Sequence, residues 1–438
     1  MNLPLISSFL SGTALVFLVG VAVGAYELFP YSVIKTVLND VEAVIADSDR
    51  IIDNKPSGFL AKARYEGEGS TIHEESKMTP GLTLLSGFFN DLPGLRLIKH
   101  DGSIVKEWPV SYASLFQDSS HIAPAKDVPA TDWNTAVHGM HLNPDGSVIF
   151  NLDGKGTIKL DHCGNPVWTL ARMTHHSIDQ ASDGSFWIPS RYYFQDNPEH
   201  PLFKTPYRSD TVLKVSPQGE VLAEVSIFKI LIDSGLYSLL VANGEFKVDM
   251  QVEDAMHVND IEELSVEDAA AFPHLAAGDL LMSLRHLNLL IIVDPVTWRV
   301  KWHRAGRWLR QHDPDFHPDG TISLVNNNSD DTKKGTILGG SEIVSIRPYA
   351  PEVPSKVLFG PAQDEHFFTN TQGKHQLLTN GNTVVAEYYG GRAFEYDQND
   401  DIVWQYINRY DENTVAKISG AQRYPMDYFA IKDWSCNE

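Results

Sequence analysis

From Gly81 onward, apolar residues fall in short runs broken by turns rich in Asp, Asn, Pro and Gly. Within many runs apolar and polar positions alternate. Period two bounded by turn chemistry predicts β-hairpins rather than helices. One hairpin recurs: an apolar strand, a turn, then a second strand that often ends in Trp. It spans Arg96–Trp108, Thr157–Trp168, Val212–Leu222, Leu290–Trp302 and Ala393–Trp404, with a degenerate copy split between Glu342–Arg347 and Lys356–Phe359. Most copies follow a further strand with its own Asp-Gly or Asn-Gly turn. Four-stranded units at a fixed period of about 40 to 50 residues mark propeller blades, since one blade cannot cover its own two faces and must stack on neighbours. The spacing here stretches to roughly 80, which predicts loop insertions. The largest, 228–252 and 266–277, have helical spacing. The pattern predicts an all-β fold, a six-bladed β-propeller over residues 79–425, followed by a C-terminal tail, 426–438.

Upstream the pattern changes. Residues 5–26 carry no charge and are long enough for a membrane-spanning helix. A cleaved signal peptide is the rival, with small residues at Val21–Ala25, but no Lys or Arg precedes the apolar run. Residues 1–30 are therefore read as a membrane anchor or signal segment. Positions 33, 34, 37, 38, 41, 44, 45 and 51 are apolar at helical spacing, and 55–78 are polar, so 31–78 is read as a helix and linker. Lys35 and Arg50, the nearest basic residues, would place the body in the cytoplasm by the positive-inside rule.

A chain of 438 residues with 42% hydrophobic and 21% charged residues is globular in composition, and its net charge of −22 argues against nucleic acid or an anionic membrane surface as the main partner. An anionic substrate would need a locally basic pocket. Cys163 and Cys436 form either one bridge or two thiols, and no zinc-type spacing is present.

The candidate chemistry lies in a repeated frame. His138, His176 and His312 each stand eight residues before the glycine of an Asp-Gly turn (Gly146, Gly184, Gly320). In the fourth unit His257 precedes its strand with an insertion between; in the sixth, Gly373 takes the frame position. Equivalent places on equivalent blades would bring these histidines to one end of the central channel. Arg304, Arg307 and Arg310 come just before His312. No P-loop, hydrolase elbow or Rossmann glycine motif stands in a supporting context.

His257-Val258-Asn259-Asp260, the strand Gly278–Arg285, Val293-Asp294-Pro295 and Gln311-His312-Asp313, in that order, resemble the PAPS-independent arylsulfate sulfotransferases over roughly residues 79–425. The resemblance implies a six-bladed propeller that moves a sulfuryl group from an aryl sulfate ester to a phenol through a sulfohistidine, without a cofactor. It implies His312 as nucleophile, His257 with Asn259 as a sulfate-binding pair, Arg285 closing the following strand, and His176 (or its neighbour His175) as a further catalytic histidine. His138 and Arg310 join Asn259 as substrate-binding candidates, and Tyr192, Tyr193, Trp308 and Phe367 are candidates for aromatic walls. A neutral imidazole can attack sulfur, and cationic donors can hold the sulfuryl oxygens. The family is typically periplasmic, so the expected state is a membrane-anchored protein with an extracytoplasmic propeller. Family members carry a small β-sandwich domain where this chain has the anchor and helix. The second reading is a non-catalytic propeller serving as a binding or assembly module at the membrane; a channel plugged by either insertion would favour it.

Overall fold

The structure is a computed structural model that describes residues 16–21, 23–24, 55–200, 203, 205–241, 254–330, 332, 334–360 and 367–436. The chain divides into two units, Met1–Gly58 and Phe59–Glu438. In the first unit residues 16–21 and 23–24 are helical. No helix of the described residues is long and apolar enough to cross a membrane. The rest of the expected anchor, and the helix expected over 31–54, lie outside the described residues.

The second unit is the propeller. Among its described residues, six antiparallel sheets have four strands each in sequence order from channel to rim, with one strand added to the last. Blade 1 joins Ile418–Tyr424 from the C-terminal end to Leu82–Phe89, Leu92–Ile98 and Ile104–Pro109. Blade 2 is Val137–Leu142, Val148–Leu152, Gly156–Leu160 and Pro166–Leu170; blade 3 is Asp179–Gln180, Phe186–Phe194, Tyr207–Val215 and Val221–Ser226. Blade 4 is Val258–Glu263, Leu280–Leu284, Leu289–Asp294 and Arg299–Ala305; blade 5 is His312–Phe316, Ile322–Asn326, Glu342–Ile346 and Lys356–Phe359. Blade 6 is Lys374–Leu377, Thr383–Glu387, Arg392–Tyr396 and Ile402–Ile407, with Gly69–His73 as an outer fifth strand.

The amino-acid pattern explains this order. Middle strands such as Leu289–Asp294 and Arg392–Tyr396 are buried along nearly their whole length, because blades cover both of their faces, whereas the rim strand Arg299–Ala305 alternates between exposed and half-buried positions. The apolar side chains form a separate layer between each pair of neighbouring blades, as with Leu85, Val384, Trp404 and Ile418 between blades 6 and 1. The recurrent Trp has a specific task. Trp108, Trp168, Trp302 and Trp404 each bury the indole against the next blade and donate Nε1–H to a turn carbonyl there, Asp161, Pro217, Pro348 and His100, at 3.3, 3.0, 2.8 and 2.9 Å.

The ring closes from both ends. The last strand of the chain pairs with the first full one, Leu60–Lys62 pairs with Thr414–Ala416, and Cys163 is disulfide-bonded to Cys436 across 273 residues. The tail thus packs on blades 1 and 2, with the Trp434 ring edge-on to Trp108. Residues 60–62 and 69–73 fall in the segment read from sequence as linker. Its polar, Gly-containing character reflects short edge strands half-exposed to solvent.

Neither insertion, where it is described, lines the channel cavity. Ile227–Asp233 and Tyr237–Val241 are helices; the first is capped by Ser226 and packs Phe228, Ile230 and Leu231 between the flanks of blades 3 and 4. Residues 242–253 lie outside the described residues. The helical expectation for 266–277 is corrected: among these residues the only helical element is one 3-10 turn, Ala269–Ala271, and Pro273, two residues on, has no N–H to extend it.

Candidate active site

In each blade the inner strand runs from the loop that enters the blade toward the Asp-Gly turn. The frame histidines therefore collect at the entering end, together with the loops that join second and third strands. His138 and His176 lie with ring centroids 4.1 Å apart, His176 and His257 4.9 Å, His176 and His312 6.3 Å. Gly139 makes the first approach possible: a Cβ there would stand 1.9 Å from the His176 carbonyl oxygen. His176 and His257 both adopt left-handed backbone, at φ 54°, which turns their rings out of the ladder. The sequence left His175 and His176 open, and the fold separates them. His176 faces the other histidines, while His175 is turned to Asp210, 3.5 Å away, with Nδ1 2.8 Å from that of His176.

His312 is held in a defined tautomer. Asn327 donates its amide N–H groups to the carbonyls of Thr369 and Gln372, at 2.9 and 2.7 Å, so its Oδ1 must face the ring. His312 Nδ1–H donates to that oxygen at 2.7 Å. The lone pair is thereby left on Nε2, which accepts from the Gln372 backbone N–H at 3.2 Å. Burial, then the Arg285 guanidinium, holds His312 well below the usual imidazole range, against the Asn327 hydrogen bond. His176 is lowered likewise by burial and by His138, and His138 is pushed down to about 4 by burial, against the pull of Asp153.

His257 has a different partner. Its Nδ1 lies 2.5 Å from Asp254 Oδ2, and the Asp254 carboxyl, despite burial, is held far below its usual range by His257 beside it. His286 donates Nδ1–H to the Asp254 carbonyl at 2.6 Å, and its Nε2 accepts from Arg285 at 2.8 Å, which aims the guanidinium. Arg285 is lowered to about 10 by burial and by Arg310, so the two guanidinia share one locality; at neutral pH it is a cation whose Nε–H has no hydrogen-bond partner among the described residues.

Neighbouring residues of the motifs are placed elsewhere. Asn259 donates its amide to the Gln311 carbonyl at 2.7 Å, tying blade 4 to the residue before His312. Trp308 and Phe367 are buried in the layers between blades 4 and 5 and between blades 5 and 6. Tyr192, on the second strand of blade 3, is exposed and hydrogen-bonded to Glu224 at 2.9 Å. Trp308 and Phe367 thus pack blades together rather than wall a pocket. Tyr388 and Tyr389, in the loop of blade 6 equivalent to that of Arg285, have rings 5.1 Å apart; the electrostatic coupling of Tyr389 to Arg285 and of Tyr388 to Asp153 brings them to the same end.

Below the histidines a cavity of about 490 Å³ follows the channel between the inner strands, from His138 to His317. Its walls are acidic: Asp179, Asp260, Glu262, Asp313 and Asp315 face Lys374 and His375. Lys374 pairs with Asp260, at 2.8 Å, and with Asp313. Asp313 also accepts from the His375 backbone and from its Nδ1–H, at 2.5 and 2.9 Å. Burial pushes Asp260 up to about 6 and Asp179 to about 7, while Lys374 and His375 overcome burial at Asp313 and hold it well below the usual range. This arrangement fixes the strand start that brings Gln372 N–H to His312.

The model of the arylsulfotransferase (ASST) family matches residues 139–409, more than half of the chain. The chain belongs to the arylsulfotransferase family. The matched stretch runs through blades 2 to 6 and includes His176, His257, Arg285 and His312. No curated protein matches the sequence. Among solved structures the chain is distantly similar to a protein of unknown function from Bacteroides caccae (14% identity, TM-score 0.49, covering 78% of this chain and 98% of that one) and to virginiamycin B lyase from Staphylococcus aureus (10% identity, TM-score 0.38, covering 80% and 88%).

Several residues of the candidate site escaped sequence reading: Asn327, Gln372, Asp254, His286 and Asp153. A signal existed for two of them. Asn327 sits in a run of three asparagines directly after an apolar strand, and Asp254 stands three residues before a motif histidine. Gln372, which acts through its backbone, had none.

Proposed function

We propose that the protein transfers a sulfuryl group from an aryl sulfate ester to a phenol through His312. The observation that carries this reading is the neutral, tautomer-fixed imidazole of His312 beside the half-buried Arg285 cation. In the first half-reaction the His312 Nε2 lone pair leaves the Gln372 N–H and forms a bond to sulfur as the aryl O–S bond breaks, and the leaving phenolate takes a proton from His257. In the second, His257 takes the proton of the acceptor phenol, whose oxygen bonds sulfur as the N–S bond breaks, so protons and charge return to the start. Arg285, with Arg310 nearby and His176 beside His312, faces the charge on the sulfuryl oxygens. Asp254 orients His257 for proton transfer. Asn259 acts through Gln311, and His138 lines the site.

The N-terminal segment serves as a membrane anchor in this reading, with the propeller periplasmic. The charge-free run 5–26 and the Cys163–Cys436 disulfide, a bond that persists in oxidising compartments, support it.

The test is a burst assay with 4-nitrophenyl sulfate, with and without a phenol acceptor. Wild type should release nitrophenol in an acceptor-dependent way and gain one sulfuryl adduct in the intact mass; His312→Ala should show neither. A folded wild type with no release and no adduct overturns the reading in favour of a binding module.

A further inference from the structure

Four groups of side chains bring three or more ligand-type atoms within 4.8 Å of one another among the described residues. Three of them are already engaged. Cys163 and Cys436, grouped with His162, are disulfide-bonded. Asp313, Asp315 and His375 are tied to Lys374 and to each other. In the third group Asp254 binds His257 and His286 through hydrogen bonds. The fourth, His138, Asp153 and His176, differs. His138 Nδ1 and Asp153 Oδ1 are shielded from solvent and have no hydrogen-bond partner among the described residues. His138 and His176 are only 6% and 5% exposed. A buried polar atom left without a partner is costly, and a site with two of them facing one locality is built for a ligand.

We propose that His138, Asp153 and His176 bind one divalent first-row transition-metal ion, and that the bound ion blocks sulfuryl transfer. Two imidazole nitrogens and one carboxylate oxygen are the ligand set such ions take, with a fourth position left for water. Metal–ligand bonds of about 2.0–2.2 Å need donors about 3.4 Å apart in a tetrahedron, within side-chain rotation of the spacing present. His176 Nδ1 faces His175, so Nε2 is the nitrogen free to ligate. Two scaffold features hold the set together. Gly139 admits the His176 backbone beside His138, and Asp153 N–H is fixed to the Ala136 carbonyl at 2.9 Å on the strand entry of the same blade. The ion takes the ring that borders both His257 and His312, so metal and sulfate ester exclude one another. This last step rests on the sulfuryl-transfer reading; metal binding does not.

The test is titration of the full-length chain with Co²⁺, read by its visible ligand-field absorption, followed by displacement with Zn²⁺. One equivalent should bind. His138→Ala and Asp153→Asn should each weaken binding more than about 100-fold, beyond the loss of an outer-shell contact, while His286→Ala should bind as wild type does. Near-ultraviolet circular dichroism confirms that each variant is folded. Absence of stoichiometric binding to wild type overturns the proposal, as does binding that survives both substitutions or disappears in His286→Ala. Zn²⁺ should abolish transfer from 4-nitrophenyl sulfate, and a chelator should restore it. Activity untouched by saturating Zn²⁺ overturns the blocking step, whereas an inactive wild type that still binds one metal overturns the sulfuryl-transfer reading instead.

Discussion

Replacing Lys374 by methionine keeps the length of the side chain and removes its charge from between Asp260 and Asp313. Both carboxylates are about 5% exposed, while 26% of the lysine side chain opens to the channel cavity. Removing one partner of a buried ion pair costs about 3–5 kcal/mol. Water in the cavity can reach the freed carboxylates, which places the cost near the low end, at about 3 kcal/mol. For a unit of 380 residues (59–438), an unfolding entropy of about 2.1 cal/mol/K per residue makes each kcal/mol worth roughly 1.3 °C, so the melting temperature should fall by about 4 °C at pH 8. The sign with pH follows from linkage. Without Lys374 the proton affinity of folded-state Asp260, already above that of the unfolded chain, rises further, and that of Asp313 rises from below it. The folded variant then takes up protons as pH falls, and its deficit against wild type should shrink to less than half by pH 5. Calorimetric scans of both proteins at pH 8, 6.5 and 5 read this directly. A shift under 1 °C at pH 8, or a deficit that grows on acidification, refutes the account of the channel as a charge-paired core.

The pH dependence of transfer should show the same electrostatics at the mouth. Because burial and Arg285 lower His312, its lone pair stays available below the ordinary imidazole value of about 6.5, so sulfation of the enzyme measured in a single turnover should keep its rate from pH 7 to pH 5.5; a fall centred near 6.5 contradicts the assignment. Asp254→Asn should lower kcat about 10- to 100-fold with a smaller change in KM. The loss should be larger for phenyl sulfate than for 4-nitrophenyl sulfate, whose phenolate leaves with less help from a proton. Equal losses on both donors would show that Asp254 does not act through a proton-donating His257.

The propeller was legible from sequence because its information is local and repeated. Turn chemistry, period-two alternation and the Trp at the strand end are set by a dozen neighbouring residues, and each recurs often enough that a degenerate copy at 342–359 does not hide the period. The frame of His138, His176 and His312 was readable for the same reason, since equal distances to a turn place equal residues at equal heights. What tertiary structure decided was orientation and partnership. Asn259 and His312 both belong to sequence motifs, yet one is turned between blades and the other into the mouth, a choice made by bulges and left-handed residues that no periodicity encodes. Asn327 reaches His312 from the end of the next strand of the same blade, 15 residues on, whereas Gln372 and Lys374 reach His312 and Asp313 from the neighbouring blade, 60 and 61 residues away. The tautomer of His312 is a property of that packing, because a single strand offers no second partner to fix an imidazole proton. Sequence thus specified which side chains stand on each blade, and the closing of six blades into a ring selected the ones that share a site.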